Sequence, residues 1–186
     1  MFRPLRIALL AWFAAFGTLG TASAAQPTYQ FGVVPQFEPR KLSAIWSPII
    51  DELEKRTGFK LIMAGSARIP EFEGEFEAGR YDFAYMNPYH ALVAMRGQKY
   101  EPLVRDSSQP LFGILVTARD GPVRQVADLA GKTVAFPAPN ALGASLLVRA
   151  ELERKYGVTV SPLWAQTHSS AYLNAALGRV AAAGGV

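Results

Sequence analysis

Gly79-Arg80-Tyr81-Asp82-Phe83-Ala84-Tyr85-Met86-Asn87-Pro88-Tyr89-His90-Ala91 decides the fold class. Tyr81 to Tyr85 is mostly aromatic or apolar and predicts a short strand. Asn87-Pro88 turns the chain, and Tyr89 to Met95 predicts a helix with Pro88 at its first position and Gly97 beyond its end. A strand that feeds directly into a helix is half of a βαβ unit.

Working upstream, Ile69 to Ala78 reads as a short helix closed by Gly79, and Phe59 to Met63 as a strand. Leu42, Ile45, Trp46, Ile49, Ile50 and Leu53 fall on one helical face, with Gly58 placed for a left-handed cap. Tyr29 to Val34 reads as a buried first strand stopped by Pro35. Downstream, Leu103 to Arg105 and Leu111 to Thr117 are extended runs, Val126 to Gly131 is one helical turn, and Thr133 to Phe136 is a strand. Pro137, Pro139 and Asn140 form a loop that opens onto a helix running to about Tyr156, with Gly157 as its stop. Thr159 to Trp164 is a strand, Ser169 or Ser170 can cap a helix through Leu177, and Arg179 to Val186 begins one more strand. The alternation predicts an α/β fold with mostly parallel sheets and helices on both faces.

The first residues bear on the compartment. Arg3 and Arg6 precede the apolar run Ile7 to Phe16, and Ala22-Ser23-Ala24 follows, which predicts a cleaved signal peptide over 1–24. A membrane span would need about 20 apolar residues. The chain has no cysteine, so a lipid anchor, thiolate chemistry and disulfides are all excluded. Removing residues 1–24 takes away two arginines and no acid, lowering the formal charge from +4 to +2. Basic residues are scattered singly, which argues against nucleic acid as a partner.

Enzyme and cofactor signatures are weak. Gly131-Lys132-Thr133 resembles the end of a phosphate-binding loop, but Val126 stands where its first glycine belongs and a strand follows it. Gly143-Ala144-Ser145-Leu146-Leu147 lacks the second glycine of a nucleophile elbow. His90 and His168, the two histidines, have no cysteine or paired carboxylate at metal-ligand spacing. Three strand-to-helix junctions stand out instead, because ligands of open α/β sheets bind outside the carboxyl ends of the strands. Tyr85, Asn87 and Tyr89 can donate to an oxyanion at the first, or the two tyrosines are half-buried packing residues with wet hydroxyls. Gly143, Ala144 and Ser145 let backbone amides approach a ligand at the second, or pack against a neighbouring helix. His168, Ser169 and Ser170 can donate at the third, or cap the next helix.

Gly32-Val33-Val34-Pro35, Gly79 to Tyr85, Asp128 to Phe136 and His168-Ser169-Ser170 together resemble the phosphate/phosphonate-binding periplasmic proteins, a branch of the class II solute-binding proteins of ABC importers. The resemblance implies two lobes, expected here over 27–107 and 110–186, with a solute held in the cleft and handed to a membrane permease. It implies a small anionic solute, no cofactor, no catalysis, no stable membrane insertion once the signal is removed, and a monomer. Where family members place Ser/Thr hydroxyls to grip phosphonate oxygens, this chain has Ala141, Leu142 and Gly143. Family carboxylates that meet an ammonium fall at Ser169 and Ala181, which argues against an aminoalkyl phosphonate. The family continues for roughly a hundred residues past Val186, so the second lobe is expected to be incomplete, with a sheet edge exposed. Two other functions remain open at this stage: a ligand-sensing input module for a membrane receptor or histidine kinase, and a hydrolase in which His168 and Ser169 act on an ester.

Overall fold

The computed structural model describes residues 26–186; the signal-peptide expectation lies outside them. Fourteen segments follow in order: β1 (Thr28–Val33), α1 (Pro39–Thr57), β2 (Lys60–Gly65), α2 (Ile69–Glu77), β3 (Phe83–Tyr85), α3 (Pro88–Gly97), β4 (Ile114–Val116), a 3-10 turn (Val126–Leu129), β5 (Thr133–Phe136), a wide π-type turn (Leu142–Leu147), α4 (Val148–Tyr156), β6 (Ser161–Trp164), α5 (His168–Ala176) and β7 (Ala182–Gly185).

The first sheet is all parallel in the order β2-β1-β3, with Phe31 beside both Met63 and Phe83. Strand alternation sends Tyr29, Phe31, Phe83 and Tyr85 to one face. There Trp46 of α1 meets Phe31 at 5.5 Å and Tyr85 at 4.7 Å between ring centroids. The opposite face carries the core of Val34, Ile69, Phe72, Phe76, Tyr81 and Ala94, under α2 and α3. α1 starts at Pro39 and stops where Gly58, at φ 72°, donates its N–H to the Glu54 carbonyl. Of its apolar stripe, Leu42 and Ile50 are buried, whereas Ile45 and Ile49 remain about two-fifths exposed.

The second sheet runs β4-β7-β5-β6, parallel except for β4, which is antiparallel to β7. Val134 and Phe136 pack with Leu129, Val148, Leu152 and Ala182 on one face; Ala135 and Ala183 pack with Ala171 and Ala175 of α5 on the other. Ala138, on the loop after β5, joins the core of the first sheet, and the Ile69 N–H donates to the Gln166 carbonyl at 3.4 Å, so the two halves touch.

Several expectations need correction. Leu103 to Arg105 forms no strand; Leu103 and Val104 are 72% and 93% exposed, because no partner strand reaches them. Leu111 and Phe112 also stay outside β4, whose three residues are those that pair with β7. Gly97 is the last residue of α3, and the left-handed turn after it falls on Lys99 at φ 62°. The expected uniform helix before Gly157 opens as a π-type turn: both Ser145 and Leu146 donate to the Ala141 carbonyl, at 2.8 and 3.2 Å. The cap of α5 is Thr167, whose hydroxyl accepts from the Ser170 N–H at 3.1 Å, so neither Ser169 nor Ser170 caps it.

Candidate functional site

Where the two sheets approach, the loops at the carboxyl ends of the strands border a half-open cavity of about 30 Å³, lined by residues that include Val34, Gln36, Ile69, Asn87, Leu111 and Gly143. Ala141, Leu142, Ala144, His168 and Val186 complete the lining. Asn87 and His168 stand at the starts of α3 and α5, and Gly143 and Ala144 lie in the turn ahead of α4. Three helix beginnings therefore face one space, where unpaired amides and the helix dipoles favour negative charge. No Lys, Arg, Asp or Glu lines the cavity.

Of the nine residues singled out from sequence, Asn87, Gly143, Ala144 and His168 line this space. Tyr85 points to the α1 face, its ring tilted 53° against that of Trp46, and is 46% exposed. Tyr89 is half-buried beside His90, with ring centroids 6.4 Å apart. Ser169 Oγ donates across the two halves to Glu38 Oε2 at 3.5 Å, and Ser170 Oγ accepts from the Thr167 hydroxyl at 3.0 Å. Ser145 is fully buried behind Gly143 and Ala144, and its Oγ has no hydrogen-bond partner among the described residues. Sequence reading missed Val34, Gln36, Ile69, Leu111 and Val186, which reach the cavity only through the tertiary fold.

Asn87 is held firmly. Its Oδ1 accepts from the His90 N–H at 2.9 Å, closing the first turn of α3. His168 is 6% exposed, and burial pushes its imidazole down to about 4 from an ordinary value of 6.5. At neutral pH it is an uncharged ring that can donate one hydrogen bond and accept another.

The burial of His168 sets a pH dependence of stability. Below about pH 6.5 the unfolded chain takes up a proton that the native chain refuses until about pH 4, so stability falls across that window. At 1.36 kcal/mol per pH unit the loss should reach about 2 kcal/mol by pH 5. Urea midpoints at pH 7 and pH 5 should show a shallower slope in His168→Gln than in the parent; equal slopes would mean that the ring titrates freely.

A model of the family described as "ABC transporter, phosphonate, periplasmic substrate-binding protein" matches residues 31–185. The chain belongs to that family. Within this phosphonate-binding family, the chain is similar to the Phosphate-import protein PhnD of Mycolicibacterium smegmatis, at 27% identity over 179 residues, covering 85% of this chain and 54% of the relative. Two solved structures share its fold. One is a binding protein component of an ABC phosphonate transporter from Pseudomonas aeruginosa, with a TM-score of 0.72 at 18% identity, covering 86% of this chain and 57% of the other. The other is PhnD1 from Prochlorococcus marinus in complex with methylphosphonate, with a TM-score of 0.70 at 13% identity, covering 84% and 62%. The architecture is thus part of the two-lobed α/β fold of periplasmic binding proteins, and the chain spans about half the length of the curated relative it matches. Among the described residues no helix is long and apolar enough to cross a membrane.

Proposed function

We propose that this chain is the solute-binding part of a periplasmic ABC importer and takes a small anionic solute of the phosphate or phosphonate class between its two sheets. The observation that carries this reading is the convergence of three helix beginnings on one uncharged cavity. Oriented amides and dipoles can replace an anion's hydration there without a counter-ion. In this reading residues 27–107 and 110–186 are the two lobes, and they part to admit the solute and close on it. Asn87, Gly143, Ala144 and His168 contact the solute, and the Ser145 hydroxyl turns toward it to satisfy its missing hydrogen bond. Tyr85, Tyr89, Ser169 and Ser170 support the walls. The partner is a membrane permease, and the chain works as a monomer.

Catalysis is not part of this reading. The hydrogen bond of the Ser169 hydroxyl goes to Glu38 and not to the His168 ring, so these two side chains are not paired as the nucleophile and base of an ester hydrolase.

Thermal unfolding with phosphate, phosphite, methylphosphonate or sulfate tests the reading. A bound ion at about 100 times its dissociation constant should add ~2.7 kcal/mol and raise the midpoint. Asn87→Asp keeps a good helix cap but sets an acceptor and a negative charge where a donor stood. In that variant the ion should no longer raise the midpoint. An undiminished rise would remove Asn87 from the site, and no rise with any of the four ions in the parent would remove the solute class.

A further inference from the structure

The outer edges of the two sheets are blunted, each in its own way. In the first sheet β2 is an outermost strand, six residues long. Its Lys60 N–H donates inward to the Pro27 carbonyl at 2.7 Å. Successive residues of a parallel strand hydrogen-bond to opposite sides, so Leu61, Met63 and Gly65 turn their N–H and C=O groups away from β1. Among the described residues no strand pairs with that side. A carboxylate from α1 reaches it instead: Glu54 Oε1 accepts from the Leu61 N–H at 2.7 Å, and Lys60 Nζ donates to Glu54 Oε2 at 3.1 Å. In the second sheet β6 is outermost beside β5. The Ser161 N–H donates inward to the Lys132 carbonyl at 2.9 Å, which leaves Pro162 at the outward position, where it has no N–H to present. β3 and β4, the other two edges, are three residues each, too short to template much pairing.

We infer that the β2 edge is a latent self-pairing surface of this chain, kept shut by the clasp of Glu54 and Lys60. Its partner, once the clasp is removed, is the same edge of a second copy. Two such edges meet antiparallel about a two-fold axis, and each presents the N–H and C=O groups that the other lacks. The run Leu61-Ile62-Met63 has the apolar character that pairing needs, and Ile62 is 45% exposed. With the clasp closed, the Leu61 N–H is already taken. Pairing would also draw two carboxylates and two ammonium groups out of water. The inference stands apart from the solute reading, because neither Glu54 nor Lys60 lines the cavity between the sheets.

The experiment is amide hydrogen exchange on the full chain, joined to sedimentation velocity over a series of rising concentrations. In the parent the Leu61 amide should exchange slowly and the Met63 amide freely. Glu54→Ala keeps a strong helix former in α1. At low concentration it should exchange the Leu61 amide about tenfold faster than the parent. At high concentration its mass should double over the parent's, and both amides should become protected. Glu54→Gln, whose amide oxygen still accepts, should behave as the parent. Met63→Pro added to Glu54→Ala removes the next outward N–H at an edge position that tolerates proline, and it should abolish the doubling. If Glu54→Ala does not fold, Glu54→Leu, which keeps a side chain packed over β2, takes its place in every arm. A free Leu61 amide or a protected Met63 amide in the parent overturns the inference without any variant. So does a Glu54→Ala chain that keeps the parent's mass throughout. A doubling that survives Met63→Pro runs through another surface, and it too overturns the inference.

Discussion

Phe72→Ala is expected to cost about 3–5 kcal/mol, much of the 5–15 kcal/mol on which a domain of this kind rests. Phe72 is completely buried and packs on Phe76 and Tyr81 with ring centroids 5.6 and 5.4 Å away. Its ring is also within reach of His90, so truncation leaves a void bounded by aromatic side chains that cannot collapse easily. The core it anchors includes Ala138 from beyond β5. Unfolding in urea should therefore show a lower midpoint for the whole chain, not a separate early transition of residues 27–107. A cost under about 1 kcal/mol would mean that this core is not packed as described.

Gly184→Val should be comparably damaging in the second sheet. β7 lies between β4 and β5, and all four of its residues are buried. A Cβ on Gly184 would collide with the Ala144 carbonyl oxygen and the Phe136 ring, and one on Gly185 with the Tyr172 ring and hydroxyl. Backbone on one side and a filled core on the other leave nothing free to move. We expect a loss of about 3 kcal/mol or more, the upper end for overpacking. Because Ala144 lines the cavity, ion binding should weaken with it. A variant that folds with a parental midpoint and binds normally would show that β7 has another register.

Local chemistry was legible from sequence wherever one residue type settles the backbone. Thr133–Phe136 forms the strand its apolar run foretold, and Gly58, Gly79 and Gly157 take the left-handed conformations that end three helices. What depends on distant partners was not. Leu103 to Arg105 has strand composition but no strand to pair with. The stripe of α1 is read correctly as helical, yet nothing local says that Ile45 and Ile49 stay half-uncovered. For the site, the three strand-to-helix junctions were visible, whereas the direction of each side chain was not. Tyr85 had a signal that could have been used: it lies two residues after Phe83, and period-2 alternation puts both on the α1 face. The contact of Glu73 with His90 had none, since 17 residues and the strand β3 separate a pair that meets only in the folded core.

The π-type turn at Leu142–Leu147 is in effect a helix carrying one surplus residue. Deleting a residue from an ordinary helix rotates everything after it by about 100°, as 3.6 residues per turn require. Here a deletion would let the widened turn tighten into a regular one while Val148 and Leu152 keep their places over β5. The second sheet would survive the shortening, and the amides gathered at the cavity would be respaced. Length variation at this turn is thus a route by which the chain could change what it holds without changing how it folds.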